Sequence, residues 1–400
     1  MSAMAAERLD KKIFGTLFLS LFVTVTGVGI VVPLLPVYAR DLGASGFAIG
    51  MIFGSFSVSR TIFPPWFGRW SDQRGRKPLI VLGLLAYGAI AALFLTFSGI
   101  AGLIVIRFFQ GIASAALMPV IQAYVGDITP AGREGVTMGC FNLALFLGLG
   151  CGPLMGGAIK DAWGLPAAFA GMGILALTGG LMAQIFLPRS AAERMHRPAK
   201  PVEPWKHLLS DPEIIALLTF RFGYTFGIGS IWGFLPILAD VEHALSGAAT
   251  GSILMIGVLL SGITQVPVGM ASDRFDKRWI IAAGAVMVCV GLGAIGWARS
   301  YAVLAAVNGV FGIGGGICMA AHMALAVQKG GHMNCMGSMM AILTVAHSTG
   351  MMAGALAAGL AMDLVGLHAV FPLGAAIMLV CTLIFLCASS RRPQAVQGAN

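Results

Sequence analysis

Charge is what this 400-residue chain has least of: Asp, Glu, Lys and Arg together make up 10% of it, against 58% for hydrophobic side chains. A soluble globular domain carries nearer a quarter of charged residues, so the composition excludes that class. Acids are scarcer than bases, at 16 against 25. All of them (Glu7, Asp10, Asp41, Asp72, Asp127, Glu134, Asp161, Glu193, Glu203, Asp211, Glu213, Asp240, Glu242, Asp273, Asp276, Asp363) fall in loops or near the ends of apolar runs. The seven cysteines lie in or beside apolar runs or among basic segments, which gives no extracellular disulfide framework. There is no nucleotide-binding phosphate loop, hydrolytic triad or metal-hydrolase motif, so the expectation is a non-enzyme that uses neither ATP nor a cofactor. A cleavable signal peptide is not expected either, because the first apolar run is too long and no small-residue cleavage site follows it.

Present instead are twelve apolar runs of the length needed to cross roughly 30 Å of hydrocarbon as helix. They cover approximately 13–38, 46–67, 78–97, 101–126, 135–159, 166–187, 213–238, 247–270, 279–297, 302–326, 336–361 and 367–387, and are numbered here as spans 1 to 12. The net charge of +9 is no nucleic-acid footprint, because its distribution follows the spans. Segments on the side of the N-terminus hold nineteen Lys and Arg, the opposite side holds only Arg40, Lys160 and Arg299, and Arg60, Arg107 and Arg221 fall inside spans. Positive residues collect on the cytoplasmic side, so both termini and the middle loop are expected there, in a bacterial inner membrane.

The segment 188–212 is rich in proline and basic residues and reads as a linker between six-span halves, 1–187 and 213–400. The halves match at an ordered offset. Gly27, Gly29 and Pro36 pair with Gly227, Gly229 and Pro236, and Gly68, Asp72 and Gly111 with Gly269, Asp273 and Gly312. Gly148, Gly152, Gly157, Asp161, Gly164 and Leu165 pair with Gly350, Gly354, Gly359, Asp363, Gly366 and Leu367. Such an ordered drift marks an internal duplication. The fold class expected is an all-α membrane protein of twelve transmembrane helices in two pseudo-symmetric six-helix bundles.

Three motifs sharpen this. Between spans 2 and 3 runs Gly68-x-x-x-Asp72-x-x-Gly75-Arg76-Lys77-Pro78, echoed incompletely from Gly269 to Arg278 around Asp273. Span 4 carries Arg107-Phe-Phe-Gln110-Gly111, and span 5 carries Gly148-x-x-x-Gly152-Pro153-x-x-Gly156-Gly157. Together with Gly29-Ile-Val-Val-Pro33-Leu-Leu-Pro36 in span 1, they resemble the major facilitator superfamily and, within it, the twelve-helix drug/proton antiporter-like branch. The resemblance implies a cavity between two bundles and alternating access by their rocking. It also implies a gate in which Asp72 faces the end of span 11 and Arg76 pairs with Asp127. Glycines in span 5 permit close helix approach, and its proline permits bending.

Arginine within hydrocarbon is costly, so Arg107 faces either a cavity or a structural hydrogen-bond hub, and Arg221 is a cavity candidate. Arg60, near the inner end of span 2, reads as an interfacial anchor. Asn142, Gln265, Asn308, His322 and His347 complete the polar candidates for substrate or proton. With no acid deep in a span, the histidines are the remaining proton carriers, and neutral, amphipathic or anionic cargo is favoured over cations. From Cys318 to Met352 the chain carries eight methionines and three histidines. Met319 with Met323, and His347 with Met351, share helix faces, so a copper(I) importer is an alternative, although methionine also lines adaptable apolar cavities. Import of a metabolite, or a non-transporting sensor or scaffold, are further alternatives. The partners expected are a small-molecule substrate, protons and the lipid bilayer, without nucleic acid, for a monomer.

Overall fold

The computed structural model describes residues 10–97, 99–129, 134–188, 209–271, 275–333 and 336–390. The expected linker falls largely outside them, as does Asp273. Among the described residues the chain is helical apart from short turns, with eleven helices long and apolar enough to cross a membrane and a twelfth formed by a bent pair.

Span 1 runs Lys11–Val31 and continues as Leu34–Asp41, and span 2 runs Gly46–Ile62 and, past a bend of 42°, Pro64–Arg74. The bend falls at Phe63-Pro64-Pro65, where two rings remove backbone donors. Spans 3 to 6 are Arg76–Thr96, Ile100–Ile128, Glu134–Trp163 and Leu165–Phe186. Spans 7 to 12 are Pro212–Val241, Gly247–Ala271, Lys277–Ile295, Tyr301–His332, Met336–Leu364 and Val370–Ser390. With twelve crossings, the chain enters span 1 and leaves span 12 at one end of the bundle, called here the terminal end; the opposite one is the far end.

The helices begin where side chains satisfy their first amides. Asp10 accepts from the backbone N–H groups of Lys12 and Ile13, Asp211 from those of Glu213 and Ile214, and Ser45 from that of Ala48, each removing orphan donors. Tight reversals occur at Gly75, Gly164 and Gly366, whose φ values of 89°, 82° and 120° suit glycine alone. Two of these, Gly164 and Gly366, are the matched glycines of the repeat.

Within each half, packing follows the repeat. Span 1 lies against spans 5 and 6 and span 2 against span 4, as span 7 lies against spans 11 and 12 and span 8 against span 10. One pair of bonds displays the equivalence: Arg107 Nε donates to the Ile52 carbonyl at 3.4 Å, and Asn308 Nδ2 to the Ile253 carbonyl at 2.8 Å. Both partners are displaced by the same 201 residues. Across the halves, span 2 packs on span 11 and span 5 on span 8.

Candidate functional site

The far end is closed by polar contacts that join the halves. Asp161, at the end of span 5, accepts from the N–H groups of Gly247 and Ala248 at 2.9 and 2.8 Å, the first amides of span 8. Asp363, at the end of span 11, accepts from those of Gly46 and Phe47 at 2.6 and 2.8 Å, the first amides of span 2. These are equivalent contacts run in opposite directions, each placing a carboxylate on the positive end of a helix dipole. Between them Arg40 Nη2 meets Asp240 Oδ2 at 2.6 Å. Arg40 and Asp240 are separated by 200 residues, the repeat offset itself. Residues in matched positions touch only near the pseudo-symmetry axis, so this ion pair marks the axis at the far end.

Apolar closure uses glycine. A methyl group on Gly157 would meet the backbone of Gly247, and one on Gly359 the backbone of Gly46. Pro153 supplies the carbonyl that approaches Gly251, and Ala355 the one that approaches Gly50. The remaining glycines of the span 5 motif face span 1 within their own half: Gly148 lies against Phe22 and Val25, Gly152 against Thr26 and Gly29, and Gly156 against Ile30. One motif therefore serves two surfaces.

At the terminal end the described residues of spans 4 and 10 show no substantial packing across the halves, nor do those of the Pro64–Arg74 segment. Among the described contacts of the loop motif, Arg76 Nε pairs with Asp127 Oδ2 at 3.2 Å and Arg76 also bonds Ser71. A methyl on Gly68 would meet nothing within 4 Å, so its surface is open. Asp72 lies in the helical backbone, but its side chain is outside the described set. In the second half Lys329 holds Asp211 and Glu213 at 2.7 and 2.9 Å, tying span 10 to the start of span 7.

The interior candidates divide. Arg107, 2% exposed, bonds Gln110 Oε1 at 2.7 Å as well as the Ile52 carbonyl, and lies over the rings of Phe53 and Phe56. Together with its Asn308 counterpart, this is the geometry of a structural hub. Arg107→Ala is expected to cost about 2 kcal/mol, because it strands a carbonyl and an amide, and to lower the melting temperature in detergent. Full stability with lost transport would instead make Arg107 a substrate residue.

His322 is fully buried, with Nε2 3.0 Å from the Leu217 carbonyl and its ring on Phe220, so it is locked into the second half. His347 has a buried Nδ1 without a partner among the described residues. Gln265 is partly buried on span 8, while Asn142 is exposed on span 5. Arg221 directs Nη1 to the Met319 sulfur at 2.8 Å, and its Nε is buried without a partner.

That contact works against copper, since a guanidinium occupies the sulfur that would be a ligand. Met323, four residues on, is 36% exposed while Met319 is 6%, so the pair does not converge on one site. The carbonyl of Met351 approaches Gly229 in span 7.

Arg60 departs from the expected interfacial anchor. Gly50 and Gly54 of span 2 lie against Ala355 and Met352 of span 11, an antiparallel register that sets Arg60 level with about His347, well inside span 11, beside the bend and over the Phe56 ring at 6.0 Å. Sequence reasoning also missed the far-end set of Arg40, Asp161, Asp240 and Asp363. The D-x-x-G-L endings that revealed the duplication were its signal.

Comparison with known proteins agrees with this architecture. The family model described as Major Facilitator Superfamily matches residues 17–243 and again 217–399. An uncharacterised MFS-type transporter of Methanocaldococcus jannaschii is 27% identical over 94% of this chain and 98% of its own. Multidrug resistance protein 1 of Bacillus subtilis is 28% identical over 66% of each chain. The quinolone resistance protein NorA of Staphylococcus aureus is 31% identical over 42% of this chain and 44% of its own. Among solved structures, a bacterial homologue of the human lysosomal transporter Spinster, inward-facing and occupied, superposes with a TM-score of 0.79 at 12% identity, covering 96% of this chain and 97% of its own. The human organic anion transporter MFSD10 superposes with a TM-score of 0.68 at 19% identity, covering 95% and 100%. With matches spanning both halves, and a fold that repeats their packing, the chain belongs to the major facilitator superfamily of membrane transporters.

Proposed function

We propose that this transporter exports small amphipathic molecules, neutral or anionic, across a bacterial inner membrane in exchange for protons. The observation that carries the reading is the unequal state of the two ends. Three polar contacts and two glycine seams close the far end, while the described residues of spans 4 and 10 show no substantial packing across the halves at the terminal end. With the termini cytoplasmic, as the distribution of Lys and Arg favours, this is a conformation open to the cytoplasm. Rocking of the halves would break the far-end contacts and close the terminal end around Gly68–Pro78. The names of the multidrug and quinolone resistance relatives support efflux, and the absence of acids deep in the spans favours cargo that is not purely cationic. Of the two histidines, His347 is the better proton carrier, because His322 is held by Leu217 and Phe220. The protein is taken to act as a monomer.

Reconstitution into vesicles with a trapped pH dye tests this directly. Addition of a transported compound is expected to collapse an imposed proton gradient, at a rate reduced at least about tenfold in His347→Gln. Compound flux that neither moves protons nor responds to the gradient would sink the exchange mechanism.

A further inference from the structure

Two of the three arginines inside the spans have no carboxylate or carbonyl partner for their guanidinium groups among the described residues. Arg107 is satisfied within its own half by Gln110 and the Ile52 carbonyl. Arg40, Arg76 and Lys329, outside the middle of the membrane, each hold a carboxylate. Among the described residues Arg60 has the Phe56 ring beside its guanidinium at 6.0 Å. Arg221 has a thioether on one nitrogen and nothing on Nε among the described residues. Both are partly buried, and a charge drawn from water without a carboxylate or carbonyl partner is costly.

The two cations come from opposite halves, on spans 2 and 7, and both of those spans pack against span 11. His347, on span 11 itself, keeps a buried ring nitrogen without a partner among the described residues. Their depths agree: Gly54 of span 2 lies against Met352 of span 11, and Gly350 of span 11 against Phe222 and Thr225 of span 7, and carrying these registers along the helices brings Arg60, His347 and Arg221 to nearly one level. All sixteen acids lie in loops or near span ends, so none stands at this depth.

We infer that Arg60, Arg221 and His347 form an anion-binding site between the two halves, which takes the carboxylate or similar acidic group of an amphipathic organic acid. Arginine suits the task, with a planar fork of donors that stays charged in a poorly hydrated site. Phe56 beside Arg60 and Met319 beside Arg221 offer apolar surface for the body of such a molecule. The site also couples binding to movement. Like charges facing each other across the halves oppose closure of the terminal end, and an anion between them turns that repulsion into a bridge. This rests on the transport reading above and narrows its cargo to organic anions.

The test is equilibrium binding, which needs no transport. Purified protein in lipid nanodiscs is titrated calorimetrically with 1-naphthoate and with 1-naphthamide, which share an aromatic body and differ in charge, using empty nanodiscs as the reference. Naphthoate is expected to bind at least about tenfold more tightly to the unaltered protein, a comparison that requires no variant. Arg60→Gln and Arg221→Gln should each weaken naphthoate about tenfold and leave naphthamide within twofold, and Arg221→Lys should recover part of the loss. Equal affinity for the two probes, no saturable naphthoate binding, or equal weakening of both probes would overturn the proposal. Binding of naphthoate without its movement across vesicles would leave the site standing and remove the export reading instead.

Discussion

Gly157→Val is expected to leave the protein folded and to slow transport roughly 30- to 100-fold, whereas Gly156→Val, one residue earlier, should reduce folding yield. The difference lies in what each added side chain meets. Gly156 faces Ile30 of span 1, inside the half to which both belong. That contact does not open during rocking, so overpacking there strains every state by about 1–3 kcal/mol. Gly157 faces the Gly247 backbone of span 8 in the other half, and this seam exists only while the far end is closed. Overpacking there raises one conformation relative to the other, and a shift of about 2–3 kcal/mol moves a two-state equilibrium about 30- to 150-fold. Melting temperature in detergent separates the outcomes, together with spin-label distances between Leu42→Cys and Trp297→Cys on the far-end loops. Gly157→Val should widen the distance at near-normal stability. If it unfolds the protein as Gly156→Val does, the seam is static and the rocking reading loses its hinge.

The two glycines illustrate what the sequence could and could not disclose. Span number, half boundaries and the duplication were legible, because hydrocarbon thickness and repeat offset both act on the order of residues along the chain. The assignment of adjacent glycines to different partners was not, since it depends on rotation about the helix axis relative to helices 90 or more residues away. Arg60 was misplaced for a related reason. Hydropathy ends span 2 near Phe67, but the helix bends at Phe63 and continues to Arg74, which moves Arg60 from an apparent edge to mid-depth. The pairing of Arg76 with Asp127 was anticipated only through family resemblance. Asp161 and Asp363 were visible as repeat markers, but their role was not, because each caps a helix of the opposite half.

Those two aspartates carry the second large expectation. Each accepts two backbone N–H bonds at a helix start across the boundary between halves. A charge-assisted bond at such a position, with the dipole contribution, is worth about 2 kcal/mol beyond what water restores. Asp161→Ala or Asp363→Ala should therefore shift the conformational equilibrium about 30-fold toward an open far end. The double variant should shift it about 1000-fold if the caps act independently, as their placement on opposite sides of the Arg40–Asp240 pair favours. Asp→Asn, which keeps an acceptor oxygen but loses the charge, should fall between. Neither residue lies in the proposed anion site, so naphthoate affinity measured with the far end cross-linked shut should be unaltered. Spin-label distances across the far end read the populations. Unchanged distances in the double variant would mean that the glycine seams alone hold this end closed, and that the carboxylates do no more than terminate helices.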